Sequence, residues 1–190
     1  ALQTLSATGA SPNAFTSTAI TGYHFECTEG FWENLRTLLS FVSVPYFTKE
    51  SVEKEQGIIG QEIRMIEDRP GWQAYHRLLE ALYEHHPVRN SVAGSVESIA
   101  QITAETLYHC HEAFYTPSNM VLCVAGNVDP EQVCAMAREI LPKEAKPTIP
   151  RDHGSNEPSQ VYCQEDVLTM EVAAPLLQIG VKLQAAHDGP

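Results

Sequence analysis

Between residues 20 and 44 the chain changes its hydrophobic period. Ile20, Gly22, His24 and Glu26 alternate with Thr21, Tyr23, Phe25 and Cys27, within a stretch from Asn13 rich in aromatic and β-branched residues. Alternation of that kind predicts strand. From residue 29 the period lengthens. Trp32, Leu35, Leu38, Leu39 and Val42 recur at steps of three and four, which predicts an amphipathic helix over 29–44, closed by Pro45. A strand region running straight into a helix excludes an all-helical or an all-strand chain.

The rest of the pattern is mostly helical. Residues 1–9 carry Leu2 and Leu5 before Gly9 and read as the end of a helix. Thr48 is an N-cap for a helix over 48–67, with Glu50 and Glu53 in its first turn, where the helix dipole favours anions. Asp68-Arg69-Pro70-Gly71 stops it, and Trp72, Tyr75, Leu78, Leu79 and Leu82 mark the next helix. Residues 88–102 read as loop with a short turn around Ser95. Thr103 opens a helix through Leu107, Cys110, His111 and Phe114. The apolar run over 119–126 has strand length and predicts a central strand. Asp129-Pro130-Glu131-Gln132 combines an N-cap, Pro at the first helical position and a capping-box Gln. Pro142, Pro147, Pro150 and Pro158 sit among polar residues and predict a linker, set at 142–177. Residues 178–183 could be a strand that begins a second unit. The tail 184–190 offers nothing to a core.

Charge narrows the partners. Lys and Arg number 12 against 24 Asp and Glu, a net charge of −12. Nucleic acid and anionic membranes both need a cationic face, so neither is expected. No apolar run approaches the roughly 20 residues that span a bilayer, and no signal peptide is visible. The five cysteines, Cys27, Cys110, Cys123, Cys134 and Cys163, are odd in number and form no C-x-x-C pair. Reduced thiols and a cytoplasmic location are the expectation.

The helix 48–67 carries the chemistry. At 100° per residue, Val52, Ile58, Ile59, Ile63, Met65 and Ile66 fall in one apolar sector. Glu62 falls within it, and Glu55 lies two turns beneath, roughly 10 Å away. A carboxylate on a buried face is paired, protonated or bound to metal. Spacing alone leaves three readings open: an edge carboxylate paired with Arg69 or another Arg, a metal ligand, or a general acid or base. The histidines offer less. His85 and His86 are adjacent and diverge around a helix, and His109-Cys110-His111 does not share one face. No HxxxH or HxxEH pair, nucleotide-binding loop or nucleophile elbow is present. Residues 11–17, with their small side chains, could form an edge strand that takes a peptide by β-augmentation, or a strand that pairs within its own sheet.

Three segments resemble one family, the insulinase/pitrilysin/mitochondrial-processing-peptidase family of zinc metallopeptidases. They are Gly9-Ala10-Ser11-Pro12-Asn13-Ala14-Phe15-Thr16-Ser17 with Thr21-Gly22-Tyr23, then Glu55-Gln56-Gly57-Ile58-Ile59-Gly60-Gln61-Glu62-Ile63, then Phe114-Tyr115-Thr116-Pro117-Ser118-Asn119-Met120 through Gly126-Asn127-Val128-Asp129. Asp68-Arg69-Pro70-Gly71-Trp72 and His86-Pro87-Val88 are most similar to processing proteases of Gram-positive bacteria.

The resemblance implies an α+β half-domain, a sheet packed on one side by helices, over 1–141. A linker over 142–177 and the start of a second half-domain at 178–190 would follow. It implies zinc as cofactor, Glu62 as third zinc ligand and Glu55 as the acidic residue that supports it in catalysis. It also implies that Asn13, Ala14 and Phe15 form the edge strand that binds substrate. The family's HxxEH helix is missing from these residues, and family spacing would place it roughly 15–20 residues before Ala1. Two readings follow. The chain is a fragment of a zinc metalloendopeptidase acting on peptides, inactive by itself and completed by the remaining half-domains or a homologous subunit. Alternatively, it belongs to a non-catalytic peptidase-like subunit that binds peptides or an active partner. A stand-alone metal module built from its own His and Cys is the third and weakest reading.

Overall fold

The computed structural model describes residues 2–144, 146, 147, 149, 150 and 156–183. The tail 184–190 lies outside the described residues. The architecture is α+β: α1 (Leu2–Ala7), β1 (Ser11–Thr16), β2 (Thr21–Glu26), α2 (Phe31–Ser43), α3 (Lys49–Glu67), α4 (Pro70–Leu82), α5 (Val96–Ala100), α6 (Ala104–Phe114) and α7 (Pro130–Ile140). The chain divides into two compact units. Ala1–Val52 with Ile102–Pro150 make the first, and Glu53–Gln101 with Arg151–Pro190 the second.

In the first unit, β1 and β2 form an antiparallel hairpin in which Ala14 faces Tyr23 and Phe15 faces Gly22. One face of the hairpin turns to the helices. Phe25 joins Phe31, Trp32 and Met136 around the buried cluster of Leu35, Leu39 and Val133, so α2 and α7 cover the sheet from that side. The other face, with Asn13, Phe15 and His24, is exposed. Phe15 lies over Gly22, where a Cβ would come within 2.5 Å of its ring. Asp129 caps α7 by accepting from the Glu131 amide at 2.9 Å, with Pro130 at the first helical position. Thr103 and Thr106 form a reciprocal cap at the start of α6.

In the second unit, α4 is met by the irregular stretch 156–183. Arg77 forks onto Asp166 through Nε and Nη2 at 2.6 and 2.7 Å. Gly180 presses so close to α4 that a Cβ would meet Leu82 at 2.7 Å. Glu157 accepts from the amides of Glu84, His85 and His86 at 2.9, 2.7 and 2.7 Å. Lys182 donates to the same carboxylate at 2.5 Å and to the Pro158 and Gln160 carbonyls at 2.8 Å. Burial works against ionisation of Glu157, but Lys182 and the three amides outweigh it and hold the carboxyl well below the usual range.

Two expected strands are not strands. Residues 120–126 and 178–183 belong to no ladder. Val121 is 89% exposed and Ile179 81%. An apolar run of strand length is not enough, because a strand needs a neighbour to exchange N–H···O=C bonds. Among the described residues neither run has one.

Candidate functional site

β1 and α3 hold the residues singled out by the sequence. The hairpin register settles what β1 offers at its open edge. The Ser17 amide donates to the Ile20 carbonyl at 2.8 Å and the Ile20 amide donates to Ser17 Oγ at 3.2 Å, so Ser17 and Ile20 stand at a hydrogen-bonded position of the ladder. Opposed residues alternate between bonded and non-bonded pairs. Counting back along the register, Phe15–Gly22 and Asn13–His24 are bonded pairs, and Ala14–Tyr23 is not. The backbone groups of Asn13 and Phe15 therefore face β2, while the N–H and C=O of Ala14 face away from it. Asn13 supports this parity by accepting from the Ala14 amide through Oδ1 at 2.8 Å. Pro12 shares Ala14's parity, so its missing N–H falls on the open edge, where proline costs no ladder bond. No strand pairs with that edge among the described residues.

Tyr23, on the helix-facing side, is gripped from three directions. Its ring meets Phe41 edge-on at 5.7 Å and tilts against Tyr115 at 6.2 Å. Its hydroxyl bonds that of Tyr115 at 2.6 Å. Tyr115 stacks on His111 at 4.6 Å, and His111 Nε2 donates to the Val42 carbonyl at 2.8 Å. Burial, and then the bond with Tyr23, push the Tyr115 phenol up. Sequence reasoning missed this cluster. Tyr23 and Tyr115 each lie in a quoted motif, but nothing in either segment signals contact across 92 residues.

α3 corrects one expectation. Its apolar sector splits: Val52 and Ile63 are buried, Ile59 and Ile66 partly so, while Ile58 is 51% and Met65 54% exposed. Glu55 and Glu62 lie on the exposed side, not on a buried face. The helix turns inward on the line of Val52, Ile59 and Ile63, which leaves both carboxylates roughly 60–80° round the axis. An ionised carboxylate costs too much to desolvate without a partner, so it takes the outer position. Glu55, Ile58, Glu62 and Met65 thus form one exposed ridge, acidic and apolar by turns. Neither carboxylate makes an ion pair or hydrogen bond among the described residues, so the pairing with Arg69 is not formed.

The residues present suit one corner of a zinc site. Glu62 supplies an unpaired carboxylate of the kind zinc accepts, but structural and catalytic zinc take three or four protein ligands. Among the described residues no three His, Cys, Asp or Glu side chains converge on one point. All five cysteines are free thiols. The structure also places the expected groups in different units: Asn13, Ala14 and Phe15 in the first, Glu55 and Glu62 in the second. A cleft of about 730 Å³ opens in the second unit between α4 and the stretch 161–180. Arg77 and Asp166 on its lining are already mutually paired, and it contains neither glutamate of α3.

Comparison with known proteins decides the family. Residues 1–96 match the profile described as Insulinase (Peptidase family M16), and residues 101–188 the Peptidase M16 inactive domain. The chain belongs to the M16 family.

Among M16 relatives, the uncharacterized zinc protease YmfH of Bacillus subtilis is 46% identical over 95% of this chain and 42% of its own length. The uncharacterized zinc protease ML0855 of Mycobacterium leprae is 34% identical over 72% of this chain and 31% of its own. A crystal structure from Alicyclobacillus acidocaldarius, described as an M16-like peptidase, superimposes with a TM-score of 0.75 at 41% identity. It covers 84% of this chain and 38% of that one. The chain therefore spans less than half the length of these M16 relatives. No helix among the described residues is long and apolar enough to cross a membrane.

Proposed function

We propose that this chain is part of a zinc metalloendopeptidase that acts on peptides. It contributes Glu62 as a zinc ligand, Glu55 as the acidic residue that supports it, and β1 as the strand that takes the substrate backbone. The observation that carries the reading is the ridge on α3. Two unpaired carboxylates alternate there with the exposed Ile58 and Met65, which is a poor face for water and a good one for a second element bringing ligands. Zinc, when bound, would supply a polarised water able to attack a peptide carbonyl. This chain's own part would be to hold one coordination position and to orient the peptide. Ala14 would offer its C=O to the substrate backbone, and its N–H once the bond to Asn13 Oδ1 is exchanged for the peptide, and Asn13 and Phe15 would flank it with side chains. The remaining ligands, and the base that activates the water, would come from outside these residues. By itself the chain would then hydrolyse nothing.

The test is Glu62→Gln in the full-length parent. Loss of stoichiometric zinc and a fall of at least about a hundredfold in peptide hydrolysis are expected, the scale of losing a group that organises a metal site. Unchanged zinc content and rate would overturn the assignment. The second reading, a non-catalytic subunit that binds peptides or pairs with an active partner, is favoured by the match of residues 101–188 to a domain described as inactive. A parent that binds peptide at β1, holds no zinc and cleaves nothing would establish it.

A further inference from the structure

The inference here rests on the reading of β1 as a peptide-binding edge and goes one step into it. We propose that Tyr23 and Tyr115 are positioning residues for that edge. Their hydroxyl–hydroxyl bond fixes the tilt of the hairpin on its helices, and so the direction in which Ala14 presents its N–H and C=O.

Four observations carry this. Tyr23 stands directly opposite Ala14, in a pair of the non-bonded kind, where opposed side chains come closest. Ala14 is the residue of the Asn13–Phe15 stretch with both backbone groups on the open edge, so what holds Tyr23 holds that residue. Besides α1 against β1 and α2 against β2, the hairpin has few neighbours. Its outer face is exposed, and a two-stranded hairpin is marginal unless packed. Phe25 anchors one end in the core, leaving Tyr23 as the mid-strand attachment.

The attachment is also directional. Ring packing alone would be satisfied by two phenylalanines. Two half-buried hydroxyls 2.6 Å apart must meet in one geometry or lose their hydrogen bond without replacement. The far partner is fixed in turn. The Tyr115 amide donates to the His111 carbonyl at 2.9 Å, the His111 ring stacks beneath its ring, and His111 is tied to the Val42 carbonyl at the end of α2. A line of contacts thus runs from α2 through α6 to the middle of the hairpin.

The experiment uses the 190-residue chain and its variants Tyr23→Phe, Tyr115→Phe and the double change. The probe is a short dansyl-labelled peptide of alternating valine and threonine, followed by fluorescence anisotropy. Each single variant is expected to bind about fivefold more weakly, and the double variant no more weakly than either single, because one bond is lost only once. Losses that add in the double variant would show separate packing roles and overturn the proposal. Equal binding by all four proteins would also overturn it and leave the edge-strand reading standing. No binding by the unaltered chain would overturn that reading and this proposal with it.

A second measurement needs no peptide. The Ala14 methyl resonance, which senses the Tyr23 ring, is expected to shift in Tyr115→Phe although no atom beside Ala14 has been removed. A resonance that stays in place would overturn the proposal.

Discussion

Among the described residues, seven of the eight buried apolar side chains, Leu5, Ala10, Leu35, Leu39, Val42, Val52 and Val133, lie in the first unit, and one, Ile63, lies in the second. The second unit is joined instead by groups that carry charge. Arg77 forks onto Asp166, and Glu157 is enclosed by three amides and Lys182. The difference teaches where each unit is vulnerable. An apolar cluster responds to lost volume and hardly at all to pH. A carboxylate clasp keeps its volume and fails when its charge is removed.

The largest effect expected from breaking this contrast is in the first unit. Leu35 is 1% exposed, and Leu35→Ala leaves a cavity beside Leu39 and Val133. A loss of about 2–5 kcal/mol is expected. Amide exchange should show it as faster opening of α2 and α7, with α4 little changed.

In the second unit the counterpart is Glu157→Gln, which removes the charge but keeps the shape. The amides of 84–86 should lose protection and the stretch 156–183 should loosen, while α2 keeps its protection. The pH dependence has a definite sign. The folded carboxyl is held below its ordinary value of 4.5, so its contribution is complete above that pH and is lost as the pH falls below it. Acid titration of the unaltered chain should loosen 156–183 before α2. In Glu157→Gln that acid-dependent step should be absent. A first unit that loosens earlier would break the comparison.

The smallest effect sharpens it. Gly57 is exposed in the middle of α3, and a Cβ there would meet nothing within 4 Å. Gly57→Ala should stabilise α3 by about 0.5–1 kcal/mol, by reducing the freedom lost on folding. Urea denaturation measures it, and a destabilisation of that size would show that this stretch of α3 needs glycine for another reason.

The helices were legible in the sequence. α2, α3, α4, α6 and α7 fall where three- and four-residue periods, Thr103, Asp129 and the prolines place them. Each is a local matter, because caps and apolar stripes act within a few residues. The strand region over 13–28 was legible too, though its division at 17–20 into a hairpin was not. The runs over 119–126 and 178–183 misled, because their apolar content specifies a pairing that their own residues cannot supply.

The site was legible in part. The motifs found β1 and α3, and the resemblance assigned parts to Asn13, Ala14, Phe15, Glu55 and Glu62. Periodicity set both glutamates on an apolar face without showing which half of that face turns inward. The clasp at Glu157 was invisible, since it joins residues more than 70 positions apart across a stretch that read as linker.

By itself, then, the sequence determined the longer helices, the strand region of the hairpin, the acidic charge and the family, because these depend on residue identity and short spacings. Tertiary structure decided the rest. It set which side of α3 meets water, which backbone groups of β1 face away from β2, and that Tyr23 meets Tyr115. Each of these depends on what another part of the chain places opposite a residue, and no local pattern encodes that.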